Sequence, residues 1–328
     1  MEQNGKQLLG AFLLGVLMPL FVLRISGWTR EARGAQPETV VPTTEEVTAA
    51  PYVPPVCWLP VLTGDTVVTM ELDTYLVGVL LGEMPAYFEP EALMAQSVVA
   101  RTYALRHHEK KSKHAGGAVC TDPGCCQAYV SETVYVERGG RETDVEKIRA
   151  AVKATSGYVL TFEGELIDAT YFSCSGGRTE NALAVWGEDI PYLQSVESPG
   201  EESAENFTKT VFLESETVQH LLGRELSGSP ESWLGDVTYT QGGGVATAVI
   251  GGISYSGTEL RRLLGLNSIA FSMEPEAEGI AVTTSGKGHR VGMSQEGAEA
   301  MALQGNTWQQ ILTHYYQGIR IDKLGDIG

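Results

Sequence analysis

One carboxylate, Glu83, stands at the junction of two helix-like runs within residues 71–104. The first run has apolar residues at helical spacing, and Pro85 ends it because proline disfavours helix at the preceding residue. Glu83 therefore falls at a helix C-terminus, whose partial negative charge and apolar neighbours favour the protonated acid. Such a carboxyl can donate a proton to a leaving group. The simpler interpretation is a solvated glutamate at a helix end.

Gln96 is a polar residue on the otherwise apolar face of the second run, which begins at Pro90. A buried glutamine needs hydrogen-bond partners, and a ligand can supply them. Arg101 lies one position from the same face. The two residues are candidates for substrate binding, and the alternative is a satisfied core glutamine beside a surface arginine.

A histidine and three cysteines are gathered within 13 residues of a glycine-containing segment. They are His114, Cys120, Cys125 and Cys126. Four nitrogen or sulfur ligands are the number that a tetrahedral zinc site requires, although the spacing is not that of a standard zinc finger. A disulfide from Cys120 to one of the paired cysteines is the main alternative, and free thiols are another. His107 or His108 could replace one ligand, but their position at the end of a helix favours exposure.

Two further segments contain candidate binding residues. Tyr171, Ser173 and Ser175 follow a predicted strand, and their alternative role is ordinary packing. His289 and Gln295 flank a glycine-rich turn, where Ser294 is a plausible helix N-cap. The alternative for this turn is a structural role with an exposed histidine. Trp186 is predicted to belong to the core, and the alternative is a platform for a sugar ring.

Three long segments, in order along the chain, resemble the SpoIID/LytB family of cell-wall proteins. They are YLVGVLLGEMPAYFEPEALMAQSVVARTYA, then ATYFSCSGGRTENALAVWGEDIPYLQSVESP, then GKGHRVGMSQEGAEAMALQGNTWQQILTHYYQGI. The resemblance implies a peptidoglycan lytic transglycosylase in which the glutamate of the E-M-P element, here Glu83, is the catalytic acid. It also places the turn with His289 in the cleft wall. Two departures from the pattern are Cys174, where a threonine or small residue is expected, and Arg290, where glycine is more usual.

The resemblance carries further expectations about substrate, metal and partners. The substrate is the MurNAc–GlcNAc bond of peptide-stripped glycan strands, cut to 1,6-anhydro-MurNAc ends during sporulation and engulfment. Some family members bind a structural or activity-supporting zinc through histidine and cysteine at such spacings. The LytB side of the family stimulates a partner amidase, so a non-catalytic scaffold or activator of a cell-wall amidase is the alternative. A partner amidase and other membrane proteins of an engulfment complex are the expected partners.

Composition and charge limit the classes of function. The net charge is −18, and the apolar fraction of 43% is ordinary for a globular chain. Nucleic-acid binding needs a basic surface, so this charge argues against it. A neutral glycan substrate is compatible with such a charge.

The N-terminal region predicts a membrane anchor. Residues 8–23 are an uninterrupted apolar run, which continues past Arg24 to Trp28 and is then long enough to span a hydrocarbon core. We expect an anchor at 1–28, a linker rich in proline, threonine and glutamate at 29–60, and a catalytic domain at 61–328; a cleaved signal peptide is the alternative. Flanking positive charges favour a cytoplasmic body, whereas the resemblance implies a single-pass cell-membrane protein whose C-terminal domain is extracytoplasmic.

The irregular mixture of helical and strand patterns predicts an α+β fold with short antiparallel strands around a substrate cleft. Residues 158–173 indicate a β-hairpin with its turn at Glu163-Gly164. Thr307 and Gln310 form a capping-box pattern before a final helix.

Overall fold

The computed structural model describes residues 57–326, in which helices and strands are mixed along the chain. The helices are α1 (Leu72–Glu83), α2 (Pro90–Lys110), α3 (Glu132–Glu137), α4 (Glu142–Ala154), α5 (Ala182–Trp186), α6 (Ser215–Leu222), α7 (Gly257–Leu264), α8 (Gln295–Leu303) and α9 (Trp308–Tyr315). The strands are β1 (Trp58–Thr63), β2 (Thr66–Glu71), β3 (Val119–Cys120), β4 (Tyr158–Phe162), β5 (Glu165–Leu166), β6 (Tyr171–Phe172), β7 (Thr208–Glu214), β8 (Leu234–Tyr239), β9 (Val245–Ile250), β10 (Ile253–Ser256), β11 (Phe271–Glu276), β12 (Gly279–Ser285), β13 (Met293–Ser294) and β14 (Arg320–Lys323). The α+β class is confirmed.

The strands form small sheets in the orders β2-β1-β3, β10-β9-β8, β11-β12-β7, β13-β6 and β14-β4-β5. Most neighbouring strands are antiparallel, as expected, but β1 with β3 and β6 with β13 pair in parallel. The parallel pair β6 with β13 joins segments more than 120 residues apart in sequence. It therefore fixes the position of the Tyr171 loop against the start of α8.

The predicted anchor at 1–28 and nearly all of the predicted linker lie outside the described residues. Among residues 57–326, no helix has the length and apolar content needed to cross a membrane. Strand β1 begins at Trp58, so the ordered fold includes the last residues of the range predicted as linker.

Local sequence signals account for several element boundaries. Helix α1 ends at Glu83, two residues before Pro85. The predicted hairpin is formed by β4 and β5, and its turn residues Glu163 and Gly164 have φ angles of 53° and 85°. The capping box of Thr307 with Gln310 is present at the start of α9. These predictions are confirmed.

Two hydrophobic cores organise the described residues. One lies around α1 and α2 and includes the fully buried Leu76, Leu80 and Leu93. The other lies within the region 211–282 and includes Trp233 and Leu260. The predicted site residues belong to the elements that surround the first core.

Arg101 is fully buried and ties α2 to the end of α4. Its Nη1 donates to the carbonyl of Thr155 at 2.7 Å, and its Nη2 donates to the carbonyl of Val152 at 3.3 Å. Nη2 also lies 3.1 Å from Asp73 Oδ1. The last carbonyls of a helix have no partner within the helix, so a buried cation is well suited to satisfy them. Arg101 therefore has a structural role, which corrects the prediction that it binds substrate.

Candidate functional site

A cavity of about 650 Å³ brings together segments that are far apart in sequence. Its walls come from the end of α1, one face of α2, the cysteine-rich loop, the region of β6, the end of α5 and the glycine-rich turn before α8. The predicted site residues that line it are Glu83, Cys125, Cys126, Tyr171, Ser173, His289 and Gln295. The structure therefore brings together four segments that are separate in the sequence.

The carboxyl of Glu83 is largely enclosed at the C-terminus of α1. Burial raises its pKa above the ordinary value, because the charged form loses hydration. The backbone N–H of Ala128 donates to Glu83 Oε1 at 2.6 Å, and polar contacts from Tyr171 and Gln295 also favour the charged form. Burial is the larger effect, so the pKa stays raised. A carboxyl in this state can serve first as an acid and then as a base.

The two residues that follow Cys125 and Cys126 contact Tyr171 and Glu83. The side chain of Gln127 accepts from the hydroxyl of Tyr75 at 3.2 Å and donates to the hydroxyl oxygen of Tyr171 at 3.1 Å. The hydroxyl of Tyr171 is then oriented to donate to Glu83. The next residue, Ala128, supplies the backbone donor to Glu83. Consecutive residues therefore connect the cysteine-rich loop to both Tyr171 and Glu83.

Helix α1 approaches this segment closely because two of its residues have no side chain. A Cβ atom at Gly78 would lie 2.1 Å from the ring of Tyr129. At Gly82 a Cβ atom would lie 3.0 Å from the carbonyl carbon of Ala128. The glycines are four residues apart and share one helix face. At Gly82 the absence of a side chain permits the short hydrogen bond between Ala128 and Glu83.

The predicted metal ligands are close together in space. The ligand atoms of His114, Cys120, Cys125 and Cys126 all lie within 4.8 Å of one another. His114 Nε2 is 3.4 Å from Cys125 Sγ and 3.7 Å from Cys126 Sγ, and the two sulfurs are 4.0 Å apart. In tetrahedral zinc sites with N and S ligands the donors are separated by roughly 3.5–3.8 Å. The residues fit a zinc ion, and none of these cysteines is in a disulfide.

Besides Arg101, three predicted substrate-binding residues do not line the cavity. Ser294 is buried and caps α8 by accepting from the N–H of Gly297. Ser175 is fully buried, and its hydroxyl donates to Glu201 at 2.9 Å. Gln96 is also fully buried, and neither of its amide atoms has a hydrogen-bond partner among the described residues. Ser175 and Ser294 therefore hold the cavity walls in shape, and nothing in the structure explains the unpaired amide of Gln96.

Sequence reasoning missed several residues that line the cavity, among them Tyr103, His107, Asp168 and Trp186. His107 was expected to be exposed, but it is buried, and its Nε2 lies 3.4 Å from Asp168 Oδ1. Burial opposes ionisation of Asp168, but the nearby His107 and further basic residues lower its pKa below the ordinary value. Trp186 was expected in the core, but 42% of it is exposed. Helical spacing would have placed Tyr103 and His107 on one face of α2, whereas the other two give no sequence signal.

The family pattern has glycine where this chain has Arg290, and the structure shows why either residue type fits this position. Its φ angle is 65°, a conformation that glycine adopts most readily. Its guanidinium is buried and lies 3.1 Å from Glu180. Three carbonyl oxygens also accept from it, those of Ser175, Arg178 and Gly242. Arg290 therefore fastens the turn with His289 to the loop that follows β6.

Comparison with known proteins identifies the family. A family model described as "Stage II sporulation protein" matches residues 63–162, a range that contains Glu83 and the four candidate metal ligands. Over 265 residues the chain is 41% identical to stage II sporulation protein D of Bacillus subtilis (strain 168), covering 79% of this chain and 77% of that protein. The chain belongs to the stage II sporulation protein D family.

Other relatives agree with this assignment. Stage II sporulation protein D of Bacillus amyloliquefaciens is 39% identical over 263 residues, covering 79% of this chain and 76% of that protein. A more distant relative from Bacillus subtilis (strain 168), named amidase enhancer, is 28% identical over 302 residues, covering 74% of this chain and 39% of that protein. The sporulation family resemblance read from the sequence is thereby confirmed.

Proposed function

We propose that this member of the stage II sporulation protein D family is a peptidoglycan lytic transglycosylase. The observation that carries the proposal is the enclosed carboxyl of Glu83, whose pKa is raised by burial within a cavity of about 650 Å³. That volume is in the range of pockets that bind small molecules. An acid that is protonated in such a cavity can protonate the oxygen of a glycosidic bond.

The reaction needs one group that acts twice. Glu83 donates its proton to the glycosidic oxygen between MurNAc and GlcNAc, and the bond from MurNAc C1 to that oxygen breaks. The resulting carboxylate then takes the proton from the C6 hydroxyl of MurNAc, whose oxygen attacks C1. A 1,6-anhydro ring forms, GlcNAc leaves with a free hydroxyl, and Glu83 ends protonated as it began. No water enters the products.

The neighbours of Glu83 support both of these steps. The donors at Ala128 and Tyr171 stabilise the carboxylate after proton release, while burial keeps the acid protonated before it. Gln295 adds a further polar contact that favours the charged form of Glu83.

We assign zinc to the cluster of His114, Cys120, Cys125 and Cys126, where it has a supporting role. The separations among these donors fit a closed four-ligand site. When bound, the metal would order the loop whose next residues, Gln127 and Ala128, contact Tyr171 and Glu83. The proton chemistry remains with Glu83.

Product mass tests the proposed reaction. Peptide-free glycan strands incubated with the protein should yield 1,6-anhydro ends, which are lighter by one water than hydrolysis products. Glu83→Gln should abolish cleavage without changing the melting temperature by more than a few degrees. Products with water-added reducing ends would refute the lytic reaction. They would favour a hydrolase that uses Asp168 as the second carboxylate of the cavity.

Stimulation of a partner cell-wall amidase is the second candidate function, and the relative named amidase enhancer favours it. In this case the glycan strands, the amidase and other membrane proteins of an engulfment complex are the partners. Two results together would establish this function in place of catalysis. The parent protein would release no anhydro ends, and the Glu83→Gln variant would still fully stimulate a purified amidase.

The proposed substrate lies outside the cytoplasmic membrane, so we also propose that the described domain is extracytoplasmic and attached to the cell membrane. Added protease should then digest residues beyond 60 in intact protoplasts. Protection of the domain would contradict this orientation.

A further inference from the structure

Trp186 is a partly exposed aromatic residue that lines the cavity. Trp186 is the last residue of α5, which begins at an Asn181 cap and stops at Gly187. Its exposed fraction is 42%, and it lines the same cavity as Glu83. A single exposed tryptophan on an open surface needs no explanation. An exposed tryptophan in a cavity wall that also contains a buried acid is a candidate ligand contact.

Two aromatic rings hold the indole in a fixed position. The ring of His289 packs against Trp186 with centroids 5.3 Å apart and planes tilted by 52°. Phe172 then packs edge-on against His289 at 5.5 Å. The position of Trp186 is therefore set by packing before any ligand arrives, which lowers the entropy cost of binding.

His289 serves here as a neutral aromatic support. Burial lowers its pKa to about 4, and its Nδ1 accepts a hydrogen bond from the backbone N–H of Val291 at 3.2 Å. Because the ring is uncharged near neutral pH, it presents no cation beside the indole. Trp186 is therefore a partly exposed aromatic side chain beside an uncharged ring on this wall of the cavity.

We infer that Trp186 is a stacking platform for one pyranose ring of the glycan strand, at a subsite within the same cavity as Glu83. This inference rests on the proposed function and adds a subsite to it. The apolar C–H face of a pyranose matches a flat indole, whose polar N–H can remain at the edge. An acidic stem peptide is the competing occupant, because Lys113 and Lys287 also line the cavity, and the titration below distinguishes the two.

The test uses the full chain with Glu83→Gln, so that strands bind without being cut. Peptide-free GlcNAc–MurNAc oligosaccharides are titrated while tryptophan fluorescence is recorded, and the dissociation constant is measured separately by calorimetry. Stacking on Trp186 should change the emission. Adding Trp186→Phe should remove that change and weaken binding by about threefold at most, whereas Trp186→Ala should weaken it by about tenfold.

Trp58 offers a matched control. It is 59% exposed but does not line the cavity, so Trp58→Phe should alter neither the emission change nor the dissociation constant. The melting temperatures of all variants are compared to ensure that each is folded.

The possible outcomes separate this inference from the proposed function. Unchanged affinity in Trp186→Ala, or an emission change that survives Trp186→Phe, refutes the platform alone. An equal response to the free stem peptide also refutes it, in favour of peptide binding. If neither the parent nor Glu83→Gln binds the oligosaccharides, the proposed function fails and the platform fails with it.

Discussion

Replacing Gly82 by alanine should change the acidity of Glu83 through the backbone of Ala128. The added Cβ would lie 3.0 Å from the carbonyl carbon of Ala128 and 3.0 Å from the nitrogen of Tyr129. These distances are shorter than ordinary contacts, so the segment must move away by a few tenths of an ångström. The hydrogen bond from the Ala128 N–H to Glu83, now 2.6 Å, becomes longer and weaker.

The sign and size of the effect follow from this bond. The Ala128 donor stabilises the carboxylate, so weakening it makes the carboxylate less stable and raises the pKa of Glu83 further. A hydrogen bond to a charged group contributes about 1.5–3 kcal/mol, and losing half of it corresponds to about 0.5–1 pKa unit. Activity requires the protonated acid and is lost as pH rises through its pKa. The alkaline limb of kcat/KM should therefore move upward by about 0.5–1 pH unit.

The assay is the initial rate of anhydro-end formation from peptide-free glycan as a function of pH. Gly78→Ala is the matched control, because it is the same change one turn earlier and meets the ring of Tyr129 instead of the backbone of Ala128. We expect that variant to lose stability while its alkaline limb stays in place. A downward shift in Gly82→Ala, or equal shifts in both variants, would refute the argument.

Three further predictions concern groups that hold the cavity in shape. Arg101→Met leaves the carbonyls of Val152 and Thr155 without their donor. The free energy of unfolding measured in urea should therefore fall by about 3 kcal/mol or more. A decrease of less than about 1 kcal/mol would contradict the structural role. Cys126→Ser should reduce bound zinc from about one per chain and lower the melting temperature, because metal binding is coupled to folding. If the parent protein contains no metal and its intact mass is two hydrogens low, the cysteines form a disulfide instead. Arg290→Gly leaves Glu180 buried without its cation, so the free energy of unfolding should fall by about 3 kcal/mol in thermal or urea unfolding. Glycine relieves the positive φ angle, but this offsets only part of the loss. An unchanged unfolding midpoint would show that the ion pair contributes nothing to stability.

The sequence alone determined the features that depend on neighbouring residues. Pro85 acts on the residues just before it, so the position of Glu83 at a helix end could be read directly. The four candidate metal ligands lie within 13 residues, and a short loop can bring them together whatever the rest of the fold does. Helix caps and the Glu163-Gly164 turn are local for the same reason.

Tertiary structure alone decided which polar side chains reach the cavity. Helical spacing places Gln96 and Arg101 on or near one face, but it does not say whether a ligand or the end of α4 packs against that face. Asp168 and Trp186 join the site because segments distant in sequence converge on it. The hydrogen bond from Gln127 to Tyr171 joins residues that are 44 positions apart in sequence. Such contacts are set by packing between elements, and the residue types at each end do not indicate which residues they contact.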